Sequence, residues 1–152
     1  MKKNKKITLA LVNFWNFPAQ SPHFGLLCLA AYIKQKLPEI KVKIIEGENP
    51  LAEILAVKAD IIGFTSDTLM FEKTLINVKE IKKKTKALLF IGGIHITASP
   101  ESFNPVFDLG VIGEGEITLF ELLQLYKKYQ NLPFSKIEKI KGLVYFKNGK
   151  II

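Results

Sequence analysis

Short apolar runs of strand length alternate along this chain with longer stretches in which apolar residues recur every three or four positions. The two periods cannot belong to one kind of element, so the alternation imposes strand, helix, strand, helix. A chain patterned that way buries its apolar surface as a parallel sheet with crossover helices. Residues 7–12 and 60–65 read as the first and third strands, and the continuous apolar run at 87–91, which ends in Gly92-Gly93, as a central one buried on both faces. The run at 41–46 alternates lysine with apolar residues, as an edge strand with one wet face does, and 106–112 supplies a fifth strand. The helical stretches lie between: 25–37 with Leu26, Leu29, Ala30, Ile33 and Leu37; 50–57 opened by Pro50; 69–84 with Phe71, Leu75, Val78 and Ile81; and 116–129 with Leu119, Leu122, Tyr126 and Tyr129. Ser99-Pro100 predicts one or two further helical turns before Asn104-Pro105, and 142–146 with 150–152 predicts a hairpin turning at Asn148-Gly149.

The order implies an α/β fold: a Rossmann-like or flavodoxin-like open five-stranded parallel sheet with helices on both faces, plus a C-terminal β-hairpin. Residues 1–132 would form the α/β domain and 133–152 a hairpin or linker. A length of 152 residues suits one such domain. No run approaches the roughly 18–20 apolar residues of a membrane span. The basic start at 1–6 leads into a run too short for a signal peptide and without a small-residue cleavage site, so a cytoplasmic location is expected. Cys28 is the only cysteine, so the chain alone can make neither a disulfide nor a cysteine-ligated iron-sulfur cluster. The net charge of +8 invites nucleic acid, but all 22 basic residues are lysine and none is arginine. Without arginine forks or interleaved exposed aromatics, runs such as Lys82-Lys83-Lys84 read as solvated helix faces, and nucleic acid is disfavoured as a partner.

In an open parallel sheet the loops leaving the C-terminal ends of the strands share one rim, where ligands bind. Four of these loops are unusual: 13–24, carrying Phe14, Trp15, Phe17, Pro22 and His23; Thr65-Ser66-Asp67-Thr68; Gly92-Gly93-Ile94-His95; and Gly113-Glu114-Gly115-Glu116. Paired glycines let backbone approach a bulky ligand, the hydroxyls donate and accept, and the helix N-termini that follow suit a phosphate. Other signatures are missing. There is no GxGxxG after the first strand, no GxxxxGK[ST], no GxSxG elbow and no HExxH pair. Glu114 and Glu116 fit a helix dipole better than acid-base catalysis.

The segments Gly25-Leu26-Leu27-Cys28-Leu29-Ala30-Ala31-Tyr32-Ile33, Asp60-Ile61-Ile62-Gly63-Phe64-Thr65, Gly92-Gly93-Ile94-His95-Ile96-Thr97 and Val111-Ile112-Gly113-Glu114-Gly115-Glu116, in this order, resemble the N-terminal cobalamin (vitamin B12)-binding domain of cobalamin-dependent radical-SAM enzymes. Ile140-Lys141-Gly142-Leu143-Val144-Tyr145 resembles the stretch leading into their catalytic barrel. The resemblance implies cobalamin held base-off on the rim with its tail buried, by Pro22, His23, Gly25, Thr65, Ser66, Asp67, Thr68, Gly92, Gly93, His95, Gly113, Glu114 and Gly115. Of these, Thr65 with Ser66 and Gly92 with Gly93 match the positions that line the tail pocket in related domains. His95 is expected to orient the glycine loop or to hydrogen-bond the cofactor. The DxHxxG motif of methionine-synthase-type domains is replaced by Ser21-Pro22-His23-Phe24-Gly25, which leaves cobalt's lower ligand open between His23 and, the favoured reading, no protein ligand. No catalytic residue and no metal ligand is assigned to this chain. The iron-sulfur cluster and S-adenosylmethionine would sit in a radical-SAM domain absent from it, joined in cis or in trans. Two other readings keep the fold: a flavin- or nucleotide-binding rim, or a cofactor-free interaction module docking through Phe14, Trp15 and Phe17.

Overall fold

Strands β1 (Thr8–Phe14), β2 (Lys41–Gly47), β3 (Ile61–Thr65), β4 (Leu88–Gly92) and β5 (Leu109–Val111) run parallel, and β6 (Leu143–Val144) adds antiparallel to β5, giving the order β2-β1-β3-β4-β5-β6. This is a computed structural model, which describes residues 6–15 and 23–152. The helices are α1 (Phe24–Lys36), α2 (Leu51–Val57), α3 (Phe71–Lys82), α4 (Ile94–Ala98), α5 (Glu116–Tyr129) and α6 (Phe134–Ile137).

Because successive strand side chains point to opposite faces, each central strand feeds two cores. Leu9 and Leu11 of β1, Ile61 of β3 and Phe90 of β4 pack on Leu26, Ala30 and Ile33 of α1 and on Leu119, Leu122 and Leu123 of α5. Ala10 and Val12, Ile62 and Phe64, Leu89 and Ile91 pack on the opposite side against Ile54 of α2 and Leu75, Val78 and Ile81 of α3. The expected parallel five-stranded sheet with helices on both faces is thus present. Ile33 is wholly buried, so Ile33→Ala is expected to lower the unfolding free energy by about 2–5 kcal/mol, read by urea denaturation. At the far end of the α1/α5 layer, Lys127 bonds Glu39 and holds that carboxyl below its usual range. A lowered carboxylate contributes above its unfolded value, so this exposed tie is complete at neutral pH and lost as pH falls through the lowered value.

Several elements differ from the sequence expectation. The first arm of the hairpin is split: Leu143–Val144 goes to the main sheet, and only β7 (Phe146–Lys147) and β8 (Lys150–Ile151) form a hairpin. Addition of β6 covers the edge that β5 would otherwise expose, and buries Val144 and Tyr145. The turn itself is as expected, with Asn148 and Gly149 both at positive φ. The fifth strand is shorter than 106–112, because Asn104 turns the chain: its side-chain oxygen accepts the Val106 N–H at 3.0 Å and its carbonyl accepts the Phe107 N–H at 3.1 Å. Ser99 is the N-cap residue and Pro100 opens one helical turn, as expected, but the turn is a 3-10 one, Pro100–Ser102, and the Ser99 side chain makes no cap hydrogen bond. Phe14 is 3% exposed and stacks on Phe64 with centroids 5.9 Å apart, so it is core and cannot serve as the docking aromatic of an interaction module. Phe17 lies outside the described residues.

Candidate cofactor site

Strand order reverses between β1 and β3, the place where an open α/β sheet forms a crevice at its C-terminal rim. A cavity of about 430 Å³ opens there, between the sheet and the α1/α5 layer. Its origin is visible in the strand sequences. Towards the rim, the residues facing α1 and α5 run Ile61 to Gly63 on β3 and Phe90 to Gly92 on β4, so glycine replaces the large side chain that would have extended the core. Leu11, Phe90 and Val111 from the sheet and Leu26, Leu29 and Leu119 from the helices form an apolar lining, while Thr65, Thr97, His23 and Glu114 bring polar groups to it.

The residues singled out in the sequence separate into two sets. His23, Gly25, Thr65, Gly92, Gly93, Gly113, Glu114 and Gly115 line the cavity; Ser66, Asp67, Thr68 and His95 do not, and Pro22 lies outside the described residues. Thr65 is buried and lines the cavity, and among the described residues its hydroxyl has no hydrogen-bond partner within the chain. Ser66 is committed inward: its hydroxyl donates to the Asp67 carbonyl at 2.8 Å and accepts from Thr74 at 3.4 Å. Asp67 accepts the Met70 N–H at 2.8 Å ahead of α3. Thr68 and Ser102 hold the two ring nitrogens of His95, at 3.1 and 3.0 Å. His95 is not in a loop, as its sequence suggested, but in α4, which begins directly after Gly93. His23 is the N-cap residue of α1, with Nδ1 facing the Leu26 N–H at 3.4 Å.

The glycines do different work. Gly93 has φ +98°, and a Cβ there would come within 2.6 Å of Thr65 Oγ1 and 2.7 Å of the Ser66 carbonyl, so only glycine lets β4 pass so close to the end of β3. At Gly113, whose φ is +79°, an added Cβ would meet nothing within 4 Å and would face open space. Thr97 joins the two glycine loops: its hydroxyl donates to the Gly93 carbonyl at 2.9 Å and accepts the Gly113 N–H at 3.1 Å. Thr97, Gly63 and the apolar lining residues are site residues that the sequence expectation did not include. The interior glycine of an otherwise apolar strand was the signal for Gly63.

The family model of the B12 binding domain matches residues 11–123, a span that includes every residue lining the cavity. The chain belongs to the B12-binding domain family. This B12-binding domain is 34% identical over 143 residues to the uncharacterized methyltransferase PH0819 of Pyrococcus horikoshii, covering 86% of the domain and 29% of that protein. Its fold is that of part of the cobalamin-dependent S-adenosylmethionine radical enzyme OxsB with aqua-cobalamin bound (TM-score 0.80, 22% identity, 97% of this chain and 22% of that one). It likewise matches part of the radical S-adenosylmethionine methyltransferase TsrM of Kitasatospora setae (TM-score 0.76, 22% identity, 95% of this chain and 29% of that one). The B12-binding domain therefore spans less than a third of the length of each of these proteins.

The residues present fit part of a cobalamin molecule. A cavity of about 430 Å³ with an apolar lining and the Thr65 hydroxyl among its polar groups is of the size that takes a drug-sized group. Among the described residues no three of His, Cys, Asp and Glu converge as a metal site, and no helix is long and apolar enough to cross a membrane.

Proposed function

We propose that this B12-binding domain carries cobalamin base-off, with the nucleotide tail in the cavity, and presents the corrin to a radical-SAM catalytic domain supplied in cis or in trans. Bound cobalamin supplies methyl-transfer or related radical chemistry; the chain's own residues bind and orient it. The observation that carries the reading is the glycine-made slot itself. Gly63 and Gly92 remove core side chains just where Thr65 leaves a hydroxyl uncommitted, an arrangement that weakens the core unless a ligand completes it. His23 would border the slot through its place at the start of α1, with cobalt receiving no ligand from this chain.

The rim supports the second half of the proposal. Phe24, Leu69, Ile94 and Ile117 stand 78%, 92%, 70% and 66% exposed around the starts of α1, α3, α4 and α5, all on the side of the sheet where the cavity opens. Apolar side chains gathered around a binding site favour coverage by a large ligand or a docked domain. Residues 133–152 would then serve as the link towards the catalytic domain, and the protein would work in the cytoplasm. Purified protein mixed with hydroxocobalamin and passed through gel filtration is expected to elute with about one equivalent of corrinoid absorption; a colourless protein peak would defeat the proposal.

A further inference from the structure

We propose that His95 is a positioning residue for the cavity wall: as the neutral Nε2–H tautomer it fastens α4 to the loop after β3 and to the turn at Pro100–Ser102, and so fixes Ile94 and Thr97 in the wall without itself lining the cavity. The Ser102 hydroxyl decides the tautomer. It lies 2.7 Å from the Ser99 carbonyl, a separation at which a hydrogen must sit between the two oxygens, so its single proton is used there. Towards His95 Nε2, 3.0 Å away, it can only accept. Nε2 therefore carries a proton, and in the neutral ring Nδ1 accepts from the Thr68 hydroxyl at 3.1 Å. The ring stacks on Phe71 with centroids 3.9 Å apart, and the His95 backbone N–H donates to the Ser66 carbonyl at 3.2 Å.

These contacts matter because α4 has little reason to exist by itself. It is five residues long, far below the roughly 12–15 at which an isolated helix becomes even marginal. Three of its residues, Ile94, Ile96 and Thr97, are β-branched and lose side-chain freedom in a helix. Thr97 ties one side of it to Gly113; His95 ties the other to Thr68 and Ser102.

The part of this inference that concerns ligand affinity rests on cobalamin carriage; the part that concerns α4 does not, and the two are tested separately. In the ligand-free protein at alkaline pH, ¹⁵N chemical shifts of the His95 ring are expected to report a protonated Nε2 and a bare Nδ1. The reverse assignment would overturn the proposal. In His95→Ala and in Ser102→Ala, amide exchange at Thr97 and Ser99, whose N–H groups close α4 onto Gly93 and His95, is expected to speed up about tenfold while β4 stays protected. Unchanged exchange in both variants would overturn it as well. With hydroxocobalamin as the probe, both variants are expected to bind about tenfold more weakly, and His95→Gln, whose amide can donate to Ser102 and accept from Thr68, to recover most of the loss. A wild-type protein that retains no corrinoid defeats the carriage reading, and the ring shifts and exchange rates then still decide the tether.

Discussion

Gly92→Leu is expected to abolish corrinoid retention while leaving the domain folded. Gly92 follows Phe90 by two positions on β4, so its side chain would point to the α1/α5 face, into the cavity. A Cβ there meets nothing closer than the Val111 carbonyl at 3.5 Å, an ordinary contact, and the backbone does not need positive φ. The leucine would therefore occupy the slot as Ile61 and Phe90 occupy the core below it, removing the space a nucleotide tail requires. Affinity for hydroxocobalamin should fall on the order of a hundredfold or more, the effect of losing roughly 3 kcal/mol or more of binding. The melting temperature should hold or rise, since a partly empty apolar site is being filled. Loss of binding together with loss of cooperative unfolding would speak against this account of Gly92.

Gly93→Ala should do the opposite and damage the fold first. Its backbone, φ +98° with ψ −177°, lies in a region reached essentially by glycine alone, and the added methyl would press on Thr65 Oγ1 at 2.6 Å and on the Ser66 backbone at 2.7 and 2.9 Å. Strain of about 1–3 kcal/mol and overpacking of about 1–3 kcal/mol together predict a loss of roughly 2–6 kcal/mol in urea unfolding. Gly113→Ala is the control. It also has positive φ, +79°, but an open surrounding, so it should lose only about 1–2 kcal/mol. Equal effects at the two positions would mean that the approach of β4 to the end of β3 is looser than the distances indicate.

Much of this architecture was legible because strand and helix periods differ and because the buried strands carry long apolar runs. The helix at Glu116–Tyr129 and the edge strand at Lys41–Gly47 follow directly from their patterns. Short elements were not legible. Leu143–Val144 is two residues long and pairs only because β5 offers an open edge, and α4 is helical against the propensity of Ile-His-Ile-Thr-Ala, held by bonds to residues distant in sequence. The rim glycines and Thr65, singled out in the sequence, line the cavity. The division between Thr65, which faces the cavity, and Ser66, Asp67 and Thr68, which are engaged with α3, α4 and their own loop, depends on side-chain direction after the end of β3 and has no counterpart in local sequence.

The central claim is that the cavity holds the nucleotide tail, and cobinamide, a corrinoid that lacks this tail, tests it most directly. Titrated in parallel into the wild-type protein, hydroxocobalamin should bind with about one equivalent and cobinamide at least about tenfold more weakly, because the apolar slot lined by Leu11, Leu29, Phe90 and Leu119 would stay empty. Equal affinity for the two corrinoids, or binding of neither, would contradict it.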